Sequence, residues 1–240
     1  MITQIKQIIG EHPEWLRSPE SSLSFLKAST PASGVGKWTE KGKVLLFVFE
    51  EGERLPTLCI KTVRVYSAGD VIRCNYDNLQ LLRDGVVGST YIQMFAKPLY
   101  LYNDGDLVFS IETICPGTKF SQDARSVELV VEKYIAWQSH LAKKTKKFRI
   151  LQHGDMTPDN VLVSGQNVYL VDYDYVGTSY LPGFDLFNFL SKIKLSPEAL
   201  HTYYEQYFPR YFKAIGAQVK SYSDLFPLYN IEESKRKAKK

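Results

Sequence analysis

In the run His153-Gly154-Asp155-Met156-Thr157-Pro158-Asp159-Asn160 an aspartate precedes an asparagine by five residues, and Asp172 follows twelve residues later at the end of an apolar run. A carboxylate can take the proton of a hydroxyl, an amide oxygen can bind magnesium without adding charge, and a second carboxylate offsets part of the dication's charge. These are the residue types that phosphoryl transfer from a nucleoside triphosphate uses, with Asp155 as base and Asn160 and Asp172 as magnesium ligands. The plainer reading is a turn in which Asp155 and Asn160 only satisfy backbone groups.

The placement depends on a hairpin. Val161-Leu162-Val163 and Val168-Tyr169-Leu170-Val171 read as two strands joined at Ser164-Gly165-Gln166-Asn167, so Asn160 and Asp172 fall at adjoining ends of one hairpin.

These residues resemble the aminoglycoside phosphotransferase and choline kinase-like family, a branch of the protein-kinase-like fold. The family's H-G-D-x-x-x-x-N matches residues 153 to 160, and its I-D-[FW]-[DE] metal segment is similar to Val171-Asp172-Tyr173-Asp174. Leu181-Pro182-Gly183-Phe184-Asp185-Leu186 is similar to the later segment whose aspartate braces the catalytic loop, which gives Asp185 a structural role. The resemblance implies a two-lobed α+β fold, with a small antiparallel-sheet N-lobe, a mainly helical C-lobe and a short C-terminal region. Residues 1–115 are expected as N-lobe, 116–234 as C-lobe and 235–240 as a basic tail.

A kinase-like N-lobe needs a strand carrying a lysine. Val44 to Glu50 is apolar and aromatic, Glu51-Gly52-Glu53 turns the chain, and Leu58-Cys59-Ile60-Lys61-Thr62-Val63 returns. Lys61 is the candidate for the nucleotide phosphates, since a buried ammonium needs phosphate or carboxylate company; a lysine snorkelling from a strand edge is the plainer reading. In active relatives a helix glutamate holds that lysine. Here Asn75 occupies the matching face with residues 79 and 82, while Asp77 lies about 200° away. Asn75 can hydrogen-bond Lys61 but not neutralise it, which leaves phosphate as the expected counter-charge.

Ser33-Gly34-Val35-Gly36-Lys37 lies between the first strand, expected at Ser24 to Ser29, and the second. Gly34 and Gly36 would let backbone N–H groups approach phosphates, or simply turn a hairpin. No G-x-x-x-x-G-K-[ST] is present, which excludes a P-loop. Leu99 to Tyr102 and Leu107 to Ile114 flank the turn Asn103-Asp104-Gly105-Asp106. By resemblance, Glu112-Thr113-Ile114-Cys115 is the hinge, where the backbone of Glu112 and Ile114 would meet the base. Residues 121 to 144 carry Val127, Val130, Tyr134, Trp137 or Gln138, and Leu141 at helical spacing, a core stripe.

The chain has 240 residues, 44% of them hydrophobic, enough for a sizeable core. Its formal charge of +4 becomes −1 without Lys235, Arg236, Lys237, Lys239 and Lys240, so the basic tail reads as a solvated end and no specific nucleic-acid site is expected. Lys143 to Arg149 reads likewise as a solvated helix end. Cys59, Cys74 and Cys115 are scattered, without zinc spacing, and with the lack of a signal core or transmembrane run this gives a cytoplasmic expectation.

After Asp172 come Tyr173, Tyr175, Tyr180, Phe184, Phe187, Tyr203, Tyr204 and Tyr207, which could stack on a sugar or enclose an amine, though most are expected in the core. Carboxylates are sparse there, against a polycationic acceptor. Since the region after Asp172 is short, the acceptor is large and docks on an open face, or a protein partner or oligomer completes its site. The expected activity is transfer of the γ-phosphoryl group of ATP or GTP, with Mg2+, to a small-molecule hydroxyl. Two alternatives stay open, a nucleotide-binding pseudokinase scaffold and an interaction module using the basic tail.

Overall fold

The computed structural model describes residues 1–28, 43–63, 69–145, 151–179, 181–219 and 221–239. The chain divides into two compact units, Met1–Gln80 with Ala96–Ile114 and Leu81–Phe95 with Cys115–Lys240. A single cut after residue 115 therefore does not describe it. Leu81–Phe95 is tied together by Arg83, which donates to the carbonyls of Ile92 and Phe95 at 3.2 and 2.9 Å, and it joins the rest of the second unit through Lys144, which donates to those of Asp84 and Gly85 at 3.2 and 3.1 Å.

In the first unit, five antiparallel strands lie in the order β1-β2-β3-β5-β4: β1 (Leu23–Ala28), β2 (Lys43–Glu50), β3 (Leu58–Val63), β4 (Pro98–Asn103) and β5 (Val108–Thr113). Strict alternation of buried and half-buried residues along β2 reflects the period of two that sends successive side chains to opposite faces. One face, Val44, Leu46, Val48, Leu58, Ile60, Phe109 and Ile111, packs with Ile5, Ile8 and Ile9 of helix α1 (Ile2–Glu11). The spacing of those isoleucines gives α1 one apolar stripe, and it spends that stripe on the sheet. The other face carries Cys59, Lys61, Ser110 and Glu112, all buried. Helix α2 (Gly69–Gly85) contributes Ile72, Asn75 and Leu79, which share one helical side and are fully buried.

Glu50, at the end of β2, is a buried carboxylate that fastens the segment after α1 to the sheet. It accepts from the backbone N–H groups of Arg17 and Ser18 and from the Thr57 hydroxyl. Burial raises its pKa, but these donors outweigh burial and hold it below the usual 4.5.

The second unit is mainly helical: α3 (Ala124–Thr145), α4 (Phe184–Leu190), α5 (Pro197–Ala214) and α6 (Phe226–Lys239), with a three-stranded sheet of β6 (Thr118–Lys119), β7 (Val161–Ser164) and β8 (Asn167–Leu170). Along α3, Val127, Val130, Tyr134, Trp137, Gln138 and Leu141 are all buried, so Trp137 and Gln138 both face inward. Phe187, Tyr204, Phe208 and Tyr229 are buried core residues that form one packed group of rings with half-buried Phe226. Residues 235–239 of the expected basic tail belong to α6, consistent with the helix propensity of lysine, arginine and alanine.

Candidate functional site

The segment around Asp155 is held from three directions. Asp185, fully buried on α4, accepts from the backbone N–H of His153 at 2.7 Å and of Gly154 at 2.8 Å, with the Tyr134 hydroxyl at 3.4 Å. Burial first, then the Asp185 charge, hold the Tyr134 phenol well above its ordinary value, so it stays a donor. The His153 imidazole, also fully buried, donates through Nε2 to the Val171 carbonyl at 3.1 Å, which ties the loop to the residue before Asp172. Gly154 sits at φ +84, and a Cβ there would lie 1.9 Å from the Tyr175 carbonyl oxygen, so only glycine lets these two backbones approach.

Asn160 then meets Asp155. Its Nδ2 donates to the Asp155 carbonyl at 2.8 Å and lies 3.5 Å from Asp155 Oδ2. Since its nitrogen is spent on the loop, its Oδ1 is left without a hydrogen bond among the described residues. The hairpin closes on the same residue: β7 and β8 pair Val161 with Leu170, and Val171 N–H donates to the Asn160 carbonyl at 3.0 Å. Asp172 follows at φ 67, the one non-glycine residue at positive φ among those described, in the left-handed region that aspartate tolerates better than most side chains. Asp155, Asn160 and Asp172 are all half-buried, and the structure brings the first two into contact and sets the third one residue beyond the bond that joins Val171 to Asn160.

No group of three His, Cys, Asp or Glu side chains among the described residues could hold a metal ion. The donor set nevertheless fits magnesium. An amide oxygen and a carboxylate are hard oxygen donors, and this cation keeps waters and phosphate oxygens as its other ligands.

In the first unit, Lys61 is buried and its Nζ lies 2.9 Å from Glu112 Oε1 and donates to Asn75 Oδ1 at 2.9 Å. The hydrogen bond to Asn75 matches the reading from helical spacing. The expected counter-charge does not, because a carboxylate already supplies it. The antiparallel register sets Cys59 opposite Glu112 and Lys61 opposite Ser110. Lys61 and Glu112 are therefore diagonal neighbours on one face, within reach of two long side chains. Burial pushes the Lys61 ammonium toward losing its proton, but the charge and hydrogen bond of Glu112, together with Cys59, outweigh it and hold the lysine above its ordinary 10.5.

The sequence points to the backbone of Glu112 at the hinge, whereas the structure adds a role for its side chain. Strands β3 and β5 are not consecutive in sequence, so no local signal pairs them. The Ile114 N–H points to the Thr57 carbonyl at 3.4 Å, a long contact. Gly34 and Gly36 lie outside the described residues. Two hollows, of about 90 Å3 beside Tyr91 and Lys133 and about 400 Å3 between α3 and α5, include none of the candidate site residues. No helix among the described residues is long and apolar enough to cross a membrane.

Residues 118–217 match the phosphotransferase enzyme family, so the resemblance read from the loop and hairpin stands. No curated protein matches the chain. Among solved structures, an aminoglycoside-3'-phosphotransferase of type VIII shares 16% identity over 97% of this chain and 98% of its own, with a TM-score of 0.55. An aminoglycoside phosphotransferase from Streptomyces rimosus shares 10% identity over 81% of this chain and 90% of its own, at a TM-score of 0.51. A kinase domain at 12% identity and a TM-score of 0.41 is matched over 59% of this chain, which spans about half that structure's length, 48%. The fold is the protein-kinase-like one, with a small antiparallel sheet and a mainly helical second part.

Proposed function

We propose that the protein transfers the γ-phosphoryl group of ATP or GTP to a hydroxyl of a small molecule such as a sugar, an aminoglycoside-like compound or an amino alcohol. The observation that carries this reading is the contact of Asn160 with Asp155 at the end of a hairpin whose other end is Asp172. A loop that merely turns would not need a buried aspartate on two of its amides and a glycine pressed against Tyr175.

Asp155 accepts the proton of the attacking hydroxyl as the new oxygen–phosphorus bond forms and the bond to the leaving nucleoside diphosphate breaks. Asn160 and Asp172 would hold magnesium, which when bound neutralises charge on the phosphates. The Lys61 ammonium meets phosphate oxygens, the backbone at Glu112 and Ile114 meets the base, and Gly34 and Gly36 cover the phosphates. A nucleotide-binding scaffold without transfer is the second reading, and Asn75 in place of a helix carboxylate is the observation behind it.

The test is a thermal-shift titration with magnesium and ATP on the native chain beside Asp172→Asn. Native protein is expected to gain stability with nucleotide by mass action and the variant to lose most of that gain. Equal shifts in both would remove the metal role, and no shift at millimolar nucleotide would remove the reading. Nucleotide binding without ATP consumption across a panel of hydroxyl acceptors would favour the scaffold.

A further inference from the structure

We infer that Glu112, from strand β5, positions Lys61 for the nucleotide phosphates in place of a carboxylate on helix α2. The inference rests on the phosphotransferase reading and concerns how its lysine is held. Lys61 has two polar neighbours of known geometry, and they differ in kind: Glu112 brings a charge at 2.9 Å, while Asn75 brings a neutral amide oxygen at 2.9 Å. The charged neighbour lies on a strand paired with that of Lys61 through five residue pairs, from Leu58 with Thr113 to Thr62 with Phe109. The ladder fixes the distance between them, so the ion pair is a property of the sheet. Movement of α2 would break the hydrogen bond that Lys61 donates to Asn75 and leave the strand pairing that holds Glu112 beside it.

The carboxylate is also what keeps this lysine useful. With side chains only 7% and 9% exposed, neither partner has much water to fall back on. Among the titratable groups that act on Lys61 besides Glu112 are Cys59 on its own strand and Lys43 on β2, the latter repelling it. Without Glu112, burial and Lys43 together drive the side chain toward the neutral amine, which attracts phosphate poorly. With Glu112, the ammonium persists and keeps donors to offer an anion.

The experiment is calorimetric titration of magnesium–ATP, well below the unfolding temperature, into the native chain, Glu112→Gln and Asn75→Asp/Glu112→Gln. The double variant moves the carboxylate onto α2, where Asp is isosteric with Asn75. Glu112→Gln is expected to bind about tenfold more weakly, and the double variant to return to within about threefold of native. A purely structural role would not produce that rescue in folded protein. Unchanged or tighter binding by Glu112→Gln would overturn the inference, since Glu112 would then only compete with phosphate. Failure of a folded double variant to improve on the single one would overturn it too. If Glu112→Gln does not fold, the double variant against native decides by the same threefold margin. Absence of binding by the native chain would sink the phosphotransferase reading itself, an outcome distinct from loss confined to the variants.

Discussion

Both units bury carboxylates, and Asp185 and Glu112 are satisfied differently. Asp185 in the second unit is met by two backbone N–H groups, those of His153 and Gly154. Glu112 in the first is met by a lysine side chain. Amides of the main chain cannot turn away without reshaping the loop, so a carboxylate held by them acts as a fastener. An ammonium has three donors on a flexible stem and can turn part of its hydrogen bonding toward a new anion. Asp155 and Asp172 are buried in neither fashion. They stay half-exposed, which suits the proton transfer and ion binding proposed for them.

Removing the fastener should have the largest effect on stability. Asp185→Ala leaves two buried N–H groups unsatisfied, and at roughly 1–3 kcal/mol each the expected loss is about 4 kcal/mol in denaturant unfolding. A loss below about 1 kcal/mol would erase the distinction between the two modes of burial. Glu50 sharpens it, because it sits in the first unit yet is held chiefly as Asp185 is. Its folded pKa lies below the usual 4.5, so its contribution is present above that value and is lost as pH falls through the folded pKa. Glu50→Gln should therefore lose less stability than native protein between about pH 5 and pH 3, as read by thermal unfolding across that range. Equal losses would assign the acid sensitivity to other carboxylates. The smallest structural effect is expected at half-exposed Asp155. Asp155→Asn should unfold within about 0.5 kcal/mol of native while phosphoryl transfer falls about a hundredfold or more.

Features carried by short stretches were legible in the sequence. The β7–β8 hairpin follows from two apolar runs around a turn, and the bond between Lys61 and Asn75 follows from counting residues around α2. The loop motif also implied that Asp185 would brace it. What stayed hidden needed a register or a partner. Glu112 reaches Lys61 only because β5 lies beside β3, a pairing that skips α2 and β4. The isoleucine stripe of α1 is visible in the sequence, but its use to cover a sheet face is not. The last turns of α6 were masked by their own charge, which drew attention to solvation and away from the high helix propensity of the same residues.

The twist of the main chain at Asp172, φ 67, decides which replacement there is informative. Aspartate and asparagine occupy that left-handed geometry at comparable ease, whereas alanine would add roughly 1–2 kcal/mol of steric strain. Asparagine is thus an exchange that spares the backbone, so a defect in it reports on the lost charge and carboxylate oxygen rather than on a displaced main chain.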